Sequence, residues 1–426
     1  MTVSVSSQLP LDLADDDTLF VLDGRMVRFP EGLRTGDFTH TIHRFPGKFV
    51  PQVARELIRL ACIEPGSGVL CDPFCGSGTT LVEAATIGIE SVGLDFDPLG
   101  VLISKVKTTP LSMEELVSLD EHWRWAVPRH GPTPLAPDVP KLSHWFLPEH
   151  VSQLSAIKAR CLQLPERLRD FSLVVFSSII RRVSNADDQT QKTYVSGTLP
   201  KRPPEPRQLF PIVMARAIAG MSEYSVACRA QPRVRRADAR EKIGEPVHGV
   251  VTSPPYLDSI DYVYNQMLEY FWLHEELGMA QPSEIRTLRS LPMGFSRGML
   301  RQIIDEIGGI SANLVDALSS DLSAIEATSR KEAEHVAGYF RDYATHLRAF
   351  VSFMPAGARY TLAIGESVVR GRRIATPDLL VPLFEASGFR LVGRCAYEIR
   401  RHYMKFPRRS NSGMIRFDHI LCFEKA

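Results

Sequence analysis

The most constraining feature of this 426-residue chain is the segment DPFCGSGTT, running from Asp72 to Thr80. An apolar run, GVLC, leads into it, a helix-patterned run, TTLVEAATIG, leaves it, and a strand-like run, SVGLDFD, follows. Strand, Gly-rich turn, helix and strand within about 30 residues make one βαβ unit, which commits the chain to an α/β architecture with a parallel sheet. Such sheets bind ligands at the carboxyl ends of their strands. Gly76 and Gly78 allow a tight turn and a close ligand approach, and the helix that follows points free N–H groups into the same space. The segment lacks the GK[ST] of a P-loop, and Leu81 stands where a dinucleotide fingerprint needs its third glycine. Asp95 closes the second strand about 20 residues on, a place suited to hydrogen-bonding a ribose diol. The pattern predicts a nucleoside ligand without a pyrophosphate.

The chain carries 50 Lys+Arg against 49 Asp+Glu and is 44% hydrophobic, enough to build two or three cores and too neutral for a basic nucleic-acid coat. Its acidic start (MTVSVSSQLPLDLADDD) and the lack of a long apolar run predict a soluble, cytoplasmic protein with no membrane partner. Seven cysteines form no CxxC pair and the histidines form no HExxH, so no metal is expected. Residues 1–39 read as a lead-in, with a short hairpin around Leu22-Asp23-Gly24-Arg25. The α/β pattern occupies 40–110 and resumes over 231–426, with strands at HGVVTSPPY, RYTLAIGE, FRLVGRCAYEI and DHILCFEK and amphipathic helix over 300–353. Between them, 111–230 mixes helical stretches with proline-rich connectors and reads as an inserted, mostly helical module.

A second site stands at the end of a later strand, at Thr252-Ser253-Pro254-Pro255-Tyr256. Adjacent prolines stiffen the turn and remove donors, leaving the carbonyls of Ser253 and Pro254 as acceptors beside an aromatic ring. This arrangement suits the planar amine of a base, with Tyr256 stacked on a ring flipped from the duplex. Carbon-5 chemistry would need a cysteine nucleophile, expected directly after a proline, and none of the seven follows one. Cys75 is read as packing.

With these blocks in order, HRFPGKFVPQ (His43 to Gln52), DPFCGSGTT, GLDFDP and TSPPY, the chain resembles the amino-group DNA methyltransferases that use S-adenosylmethionine. The closer resemblance is to the Ser-Pro-Pro-Tyr branch, which methylates cytosine at N4. The resemblance implies a Rossmann-like, seven-stranded, mostly parallel sheet with one antiparallel strand near an edge. It implies Phe45, Lys48 and Phe49 over the methionine end of the cofactor, and Asp72, Phe74, Gly76, Gly78 and Thr79 around its methionine and ribose portions. Asp95 would hold the ribose hydroxyls, Asp238 of the triplet Asp238-Ala239-Arg240 would reach the adenine, and Ser253, Pro254, Pro255 and Tyr256 would form the catalytic turn. About 140 residues separate Asp95 from Asp238, where a bare strand–helix–strand step takes about 30. The insertion at 111–230 is therefore the candidate target-recognition region.

Two basic runs suit phosphates and unstacked bases: Arg229, Arg233, Arg235, Arg236, Arg240 and Lys242 before the catalytic strand, and Arg394, Arg400, Arg401, Lys405, Arg408 and Arg409 interleaved with Tyr397, Tyr403 and Phe406. Duplex DNA is thus the expected partner, alongside a cognate restriction endonuclease or defence-system proteins. The alternatives are N6-adenine methylation, methylation of an exocyclic amine in RNA, and a cofactor-sensing DNA-binding protein without catalysis.

Overall fold

The computed structural model describes residues 22–24, 26–27, 36–124, 140–187, 192–198, 200–257, 261–295, 298–398 and 417–426. Ten strands are present among them: β1 (Met26–Val27), β2 (Leu70–Asp72), β3 (Ser91–Asp95), β4 (Arg233–Arg236), β5 (Gly249–Thr252), β6 (Arg359–Gly365), β7 (Ser367–Val369), β8 (Arg372–Ile374), β9 (Phe389–Glu398) and β10 (Phe417–Lys425). The helices of the first half are α1 (Pro51–Ala61), α2 (Thr79–Thr86), α3 (Pro98–Thr108), α4 (Met113–Arg124), α5 (Leu142–Trp145), α6 (Pro148–Cys161), α7 (Glu166–Val183) and α8 (Pro206–Ala227). The second half adds α9 (Tyr262–Asn265), α10 (Met267–Leu273), α11 (Ile285–Leu288), α12 (Leu300–Gly308), α13 (Ala312–Glu326), α14 (Arg330–Val351) and α15 (Thr376–Ala386).

Seven strands form the main sheet in the order β9-β10-β6-β5-β2-β3-β4, and β1 extends its β9 edge. The pairs β5–β6, β2–β5, β2–β3 and β3–β4 are parallel, whereas β10 runs antiparallel to both β6 and β9. This is the α/β sheet expected, with its antiparallel strand next to one edge. Met26 and Val27 pair parallel with Ala396 and Tyr397 of β9, while most of the hairpin expected around Leu22-Asp23-Gly24-Arg25 lies outside the described residues. The ribbon β7–β8 turns at Arg370-Gly371, both at positive φ, and has no counterpart in the sequence reading.

Period-two alternation divides the buried strand residues between two faces. Val250, Leu362 and Ile364 point to the cluster built with α12, α13, α14 and α15. Val251 and Ala363 point to the cluster built with α1. The 300–353 stretch is three helices, because the breaks at Gly308-Gly309 and Ala327-Thr328 are each followed by a serine N-cap: Ser311 accepts from the Leu314 N–H and Ser329 from the Glu332 N–H.

Helices α4, α6, α7 and α8 share a single apolar cluster with α2, α3 and α10, including Val82, Leu99, Ile103, Phe171, Phe210 and Trp272. Phe146 and Phe176 each meet the Trp272 ring edge-on, at centroid distances of 5.9 and 5.8 Å. Lys158 of α6 crosses the same junction, donating to the Trp272 carbonyl at 2.8 Å and pairing with Glu276 at 2.9 Å. No described helix is long and apolar enough to cross a membrane.

Candidate functional site

The carboxyl ends of β2, β3 and β5 open into one cleft, with about 900 Å³ between its walls, open solvent included. Phe45, Lys48, Phe49, Asp72, Phe74, Gly76, Thr79, Asp95, Asp238, Ser253 and Pro255 all line it. Residues far apart in the chain thus meet because parallel strands present the same end.

Asp95 is fixed by the turn it faces. Its Oδ2 accepts the Gly76 N–H at 2.8 Å and its Oδ1 the Asp97 N–H at 2.9 Å. Each oxygen keeps a further lone pair for a ligand hydroxyl. Burial, with the neighbouring Asp97 charge, pushes the Asp95 carboxyl up. Asp72 is buried, accepts from Thr252 Oγ1 at 2.7 Å and from the Phe74 N–H at 3.1 Å, and is pushed by burial up to about 6. The Phe45 ring lies over Gly76: a Cβ there would stand 3.0 Å from the ring edge. Lys48 lines the cleft with its ammonium donated to the His40 carbonyl, and burial lowers it to about 8.

Gly78 does not line the cleft. It has φ +73° and caps α2, and an added Cβ would lie 2.3 Å from Ser104 Oγ, so its smallness serves the contact between α2 and α3. Cys75 is buried against Gly93, with its thiol pushed up by burial.

Asp238 does not stand by itself. The Arg240 guanidinium grips it through Nε at 2.9 Å and Nη2 at 2.6 Å, and reaches Asp342 at 3.1 Å and the Leu291 carbonyl at 2.9 Å. Against the upward pull of burial, these bonds hold Asp238 below the usual carboxylate range. Beneath it, His346 is fully buried between the Ala239 carbonyl and the Tyr360 hydroxyl, each at 2.8 Å, with its ring 5.1 Å from that of Phe74.

At the turn Ser253–Tyr256, Ser253 and Pro255 face the cleft while Pro254 and Tyr256 are not among its lining. Tyr256 donates to Asp418 Oδ1 at 2.8 Å, and Tyr339 donates to the Pro255 carbonyl at 2.9 Å. Tyr262, Leu291, Pro292 and Met293 also line the cleft and were not marked by the sequence. They come from the segment after TSPPY, which has no motif of its own. Asp97 was likewise overlooked as a structural acid: it caps α3 by accepting the Leu99 N–H at 2.8 Å, and Tyr270 of α10 donates to it. The Asp-Pro that opens α3 was the available signal.

The first basic run is largely engaged within the protein. Arg233 and Arg235 pair with Glu245 at 2.6 and 3.0 Å, Arg236 donates to the Phe96 carbonyl at 3.3 Å, and Arg240 serves Asp238. Of the second run, Arg394 pairs with Asp378 at 2.5 Å and Tyr397 donates to Asp418 at 2.8 Å, while Arg400, Arg401, Lys405, Arg408 and Arg409 lie outside the described residues. Among the described residues, no group of three or more His, Cys, Asp or Glu is placed to hold a metal.

Residues 41–125, which carry the Gly-rich turn and Asp95, match the family model of the RMKL-like methyltransferase domain. The chain carries a methyltransferase domain. S-adenosylmethionine is the cofactor, and the residues fit it. An Asp95 carboxylate with spare lone pairs suits a ribose diol, and the acids Asp72, Asp95 and Asp238 suit a ligand bearing a sulfonium and an ammonium.

Over 288 residues the chain is 28% identical to the Type II methyltransferase M.MvaI of Kocuria varians, covering 61% of this chain and 62% of that relative. A shorter match, 46% over 52 residues, is to a tRNA (guanine(10)-N2)-dimethyltransferase of Methanocaldococcus jannaschii, covering 12% of this chain and 14% of that relative. Among solved structures, TrmN from Thermus thermophilus is 15% identical with a TM-score of 0.31, covering 89% of this chain and 50% of that one. A score that low adds nothing to the topology described above.

Proposed function

We propose that the chain is a site-specific DNA methyltransferase, transferring the methyl group of S-adenosylmethionine to the exocyclic N4 amine of cytosine. The observation that carries this reading is the shared cleft, in which the Asp95 carboxylate, Ser253 and Pro255 face the same space. In this reading Phe45, Lys48, Phe49, Asp72, Phe74, Gly76, Thr79, Asp95 and Asp238 hold the cofactor, whose sulfonium supplies an activated methyl group. Ser253 and the Pro254 carbonyl accept the two amine protons of the target base, turning the nitrogen lone pair towards the methyl carbon, and the Tyr256 ring supports a base flipped from the duplex. Catalysis is then chiefly alignment and exclusion of water.

One of the named relatives bears on the choice of amine. The relative matched over the longer stretch is a Type II methyltransferase, and the other is named for the N2 of guanine, itself an exocyclic amine. DNA is favoured by the far greater span of the first match. The helices within 111–230 are assigned to target recognition, residues 400–409 to the DNA backbone, and a cognate endonuclease or defence protein to the same setting. Labelled-methyl transfer into duplex DNA, followed by nucleoside mass analysis, tests the reading and should yield N4-methylcytosine. N6-methyladenine alone would overturn the base assignment, transfer to RNA but not DNA the polymer, and cofactor-dependent DNA binding without transfer the enzymatic reading itself.

A further inference from the structure

Beyond the cleft wall, the Tyr256 hydroxyl leads to a carboxylate that the proposed reaction does not yet use. Asp418 is buried at the start of β10 and accepts two phenols, Tyr256 on Oδ1 and Tyr397 of β9 on Oδ2, each at 2.8 Å. Asp418 and Tyr397 are direct cross-strand partners, so the sheet register itself sets this clamp. On the cleft side, the Ser253 side chain lies close enough to the Tyr256 oxygen to favour its ionised form. Ser253, which faces the cleft, Tyr256 and Asp418 therefore stand in sequence, with the Tyr256–Asp418 link already made in the structure.

A buried carboxylate is costly unless its charge has work to do or partners to share it. Here both partners are neutral phenols, and among the described ion pairs Asp418 takes part in none. We propose that Ser253, Tyr256 and Asp418 form a proton relay that removes the proton released by the target amine during methyl transfer. The inference rests on the amine-methylating reading above and deepens it. As the amine nitrogen bonds to the methyl carbon, sulfur keeps the electron pair of the broken carbon–sulfur bond and the nitrogen becomes cationic. The nitrogen then passes one proton to Ser253 Oγ, Ser253 passes its own to the Tyr256 oxygen, and Tyr256 passes its own to Asp418 Oδ1. The sulfonium charge and the carboxylate charge both disappear, so the buried site ends the step neutral. After product release the same path returns the proton to water in the cleft.

In this scheme Ser253 and the Tyr256 ring touch the substrate, the Tyr256 hydroxyl carries the proton onward, and Asp418 is a positioning residue that acts through them. Burial holds the Asp418 carboxyl above its ordinary value, so the acceptor is one that acid can switch off. The titratable groups facing it are Tyr256, Tyr397 and His419, with Glu366 beyond His419 at 3.7 Å.

The test uses the full chain with S-adenosylmethionine and duplex DNA, measuring single-turnover methyl transfer across pH, cofactor and DNA affinity, and infrared titration of the protein alone. Tyr256→Phe keeps the ring and removes the link. It should lower the transfer rate about 100-fold, the usual worth of a positioned proton acceptor, with both affinities unchanged. Tyr397→Phe removes one donor from Asp418 and should move the acid limb of the wild-type rate profile to higher pH. Asp418→Asn should abolish that limb and the matching carboxylic-acid infrared band. Tyr256→Phe at the wild-type rate, or an acid limb unmoved in Tyr397→Phe, would overturn the relay while leaving amine methylation standing. A wild-type protein that binds the cofactor and DNA yet methylates no amine would remove the reading on which the relay depends.

Discussion

His346 gives the clearest quantitative expectation. The side chain is fully buried, its Nδ1–H donates to the Ala239 carbonyl, and its Nε2 accepts from the Tyr360 hydroxyl. Burial depresses it from 6.5 to about 4. A group whose folded-state pKa is depressed contributes stability that is present above its unfolded value and lost as the pH falls through the folded one. A tenfold loss of proton affinity on folding corresponds to about 1.4 kcal/mol, so the fall from 6.5 to about 4 puts about 3 kcal/mol at stake across that pH range. His346→Gln retains a donor for Ala239 and cannot titrate in this range. Urea denaturation of the two proteins at intervals from about pH 7.5 to about pH 4 measures the difference. The buried residues His40 and His43 titrate in both proteins and cancel. The variant should be less stable at neutral pH, and the gap should narrow by about 3 kcal/mol, closing or reversing, as acid protonates the wild-type imidazole. Parallel stability curves would show that His346 is not held neutral by its surroundings.

Other expectations follow from the same structure. Asp95→Ala removes the carboxylate that faces the cleft and should weaken S-adenosylmethionine binding by about 10- to 100-fold in calorimetry, the worth of one or two charge-assisted hydrogen bonds. Gly78→Ala drives a Cβ to 2.3 Å from Ser104 Oγ, whereas Gly88→Ala, also at positive φ, meets nothing nearer than 3.7 Å. Both pay about 1–2 kcal/mol of backbone strain, and only the first adds about 1–3 kcal/mol of overpacking, so denaturant midpoints should rank them in that order. Tyr256→Ala, which removes the ring as well as the hydroxyl, should also impair engagement of the target base, read as a weaker response of 2-aminopurine placed at the target position.

The parts of the fold that were legible share a physical cause. DPFCGSGTT and GLDFD fix backbone turns and strand ends, and turn chemistry is local, so the residues that set it are neighbours in the chain. TSPPY was legible for the same reason. Less legible was anything decided by residues far apart. Strand β4 is RVRR, an edge strand whose three arginines are exposed, and its charges hide the β pattern. Its arginines looked like a nucleic-acid surface because Glu245, the partner of Arg233 and Arg235, sits beyond the strand. Gly78 looked like a ligand contact because the Ser104 that crowds it belongs to the next helix. Leu291, Pro292 and Met293 reach the cleft through Arg240, which binds the Leu291 carbonyl, and no local pattern announces such a tie.

The apolar cluster that joins α4, α6, α7 and α8 to α2, α3 and α10 also bears on how such a chain can diversify. Cutting out 113–227 would leave Ile103 of α3 and Trp272 of α10 facing water, and would strand Glu276 without Lys158. The segment is not a cartridge that recombination can lift from one chain and drop into another. New behaviour in this region has to be gained by point changes on its outward surface, while the side chains turned towards α3 and α10 stay answerable to the stability of the methyltransferase fold beneath them.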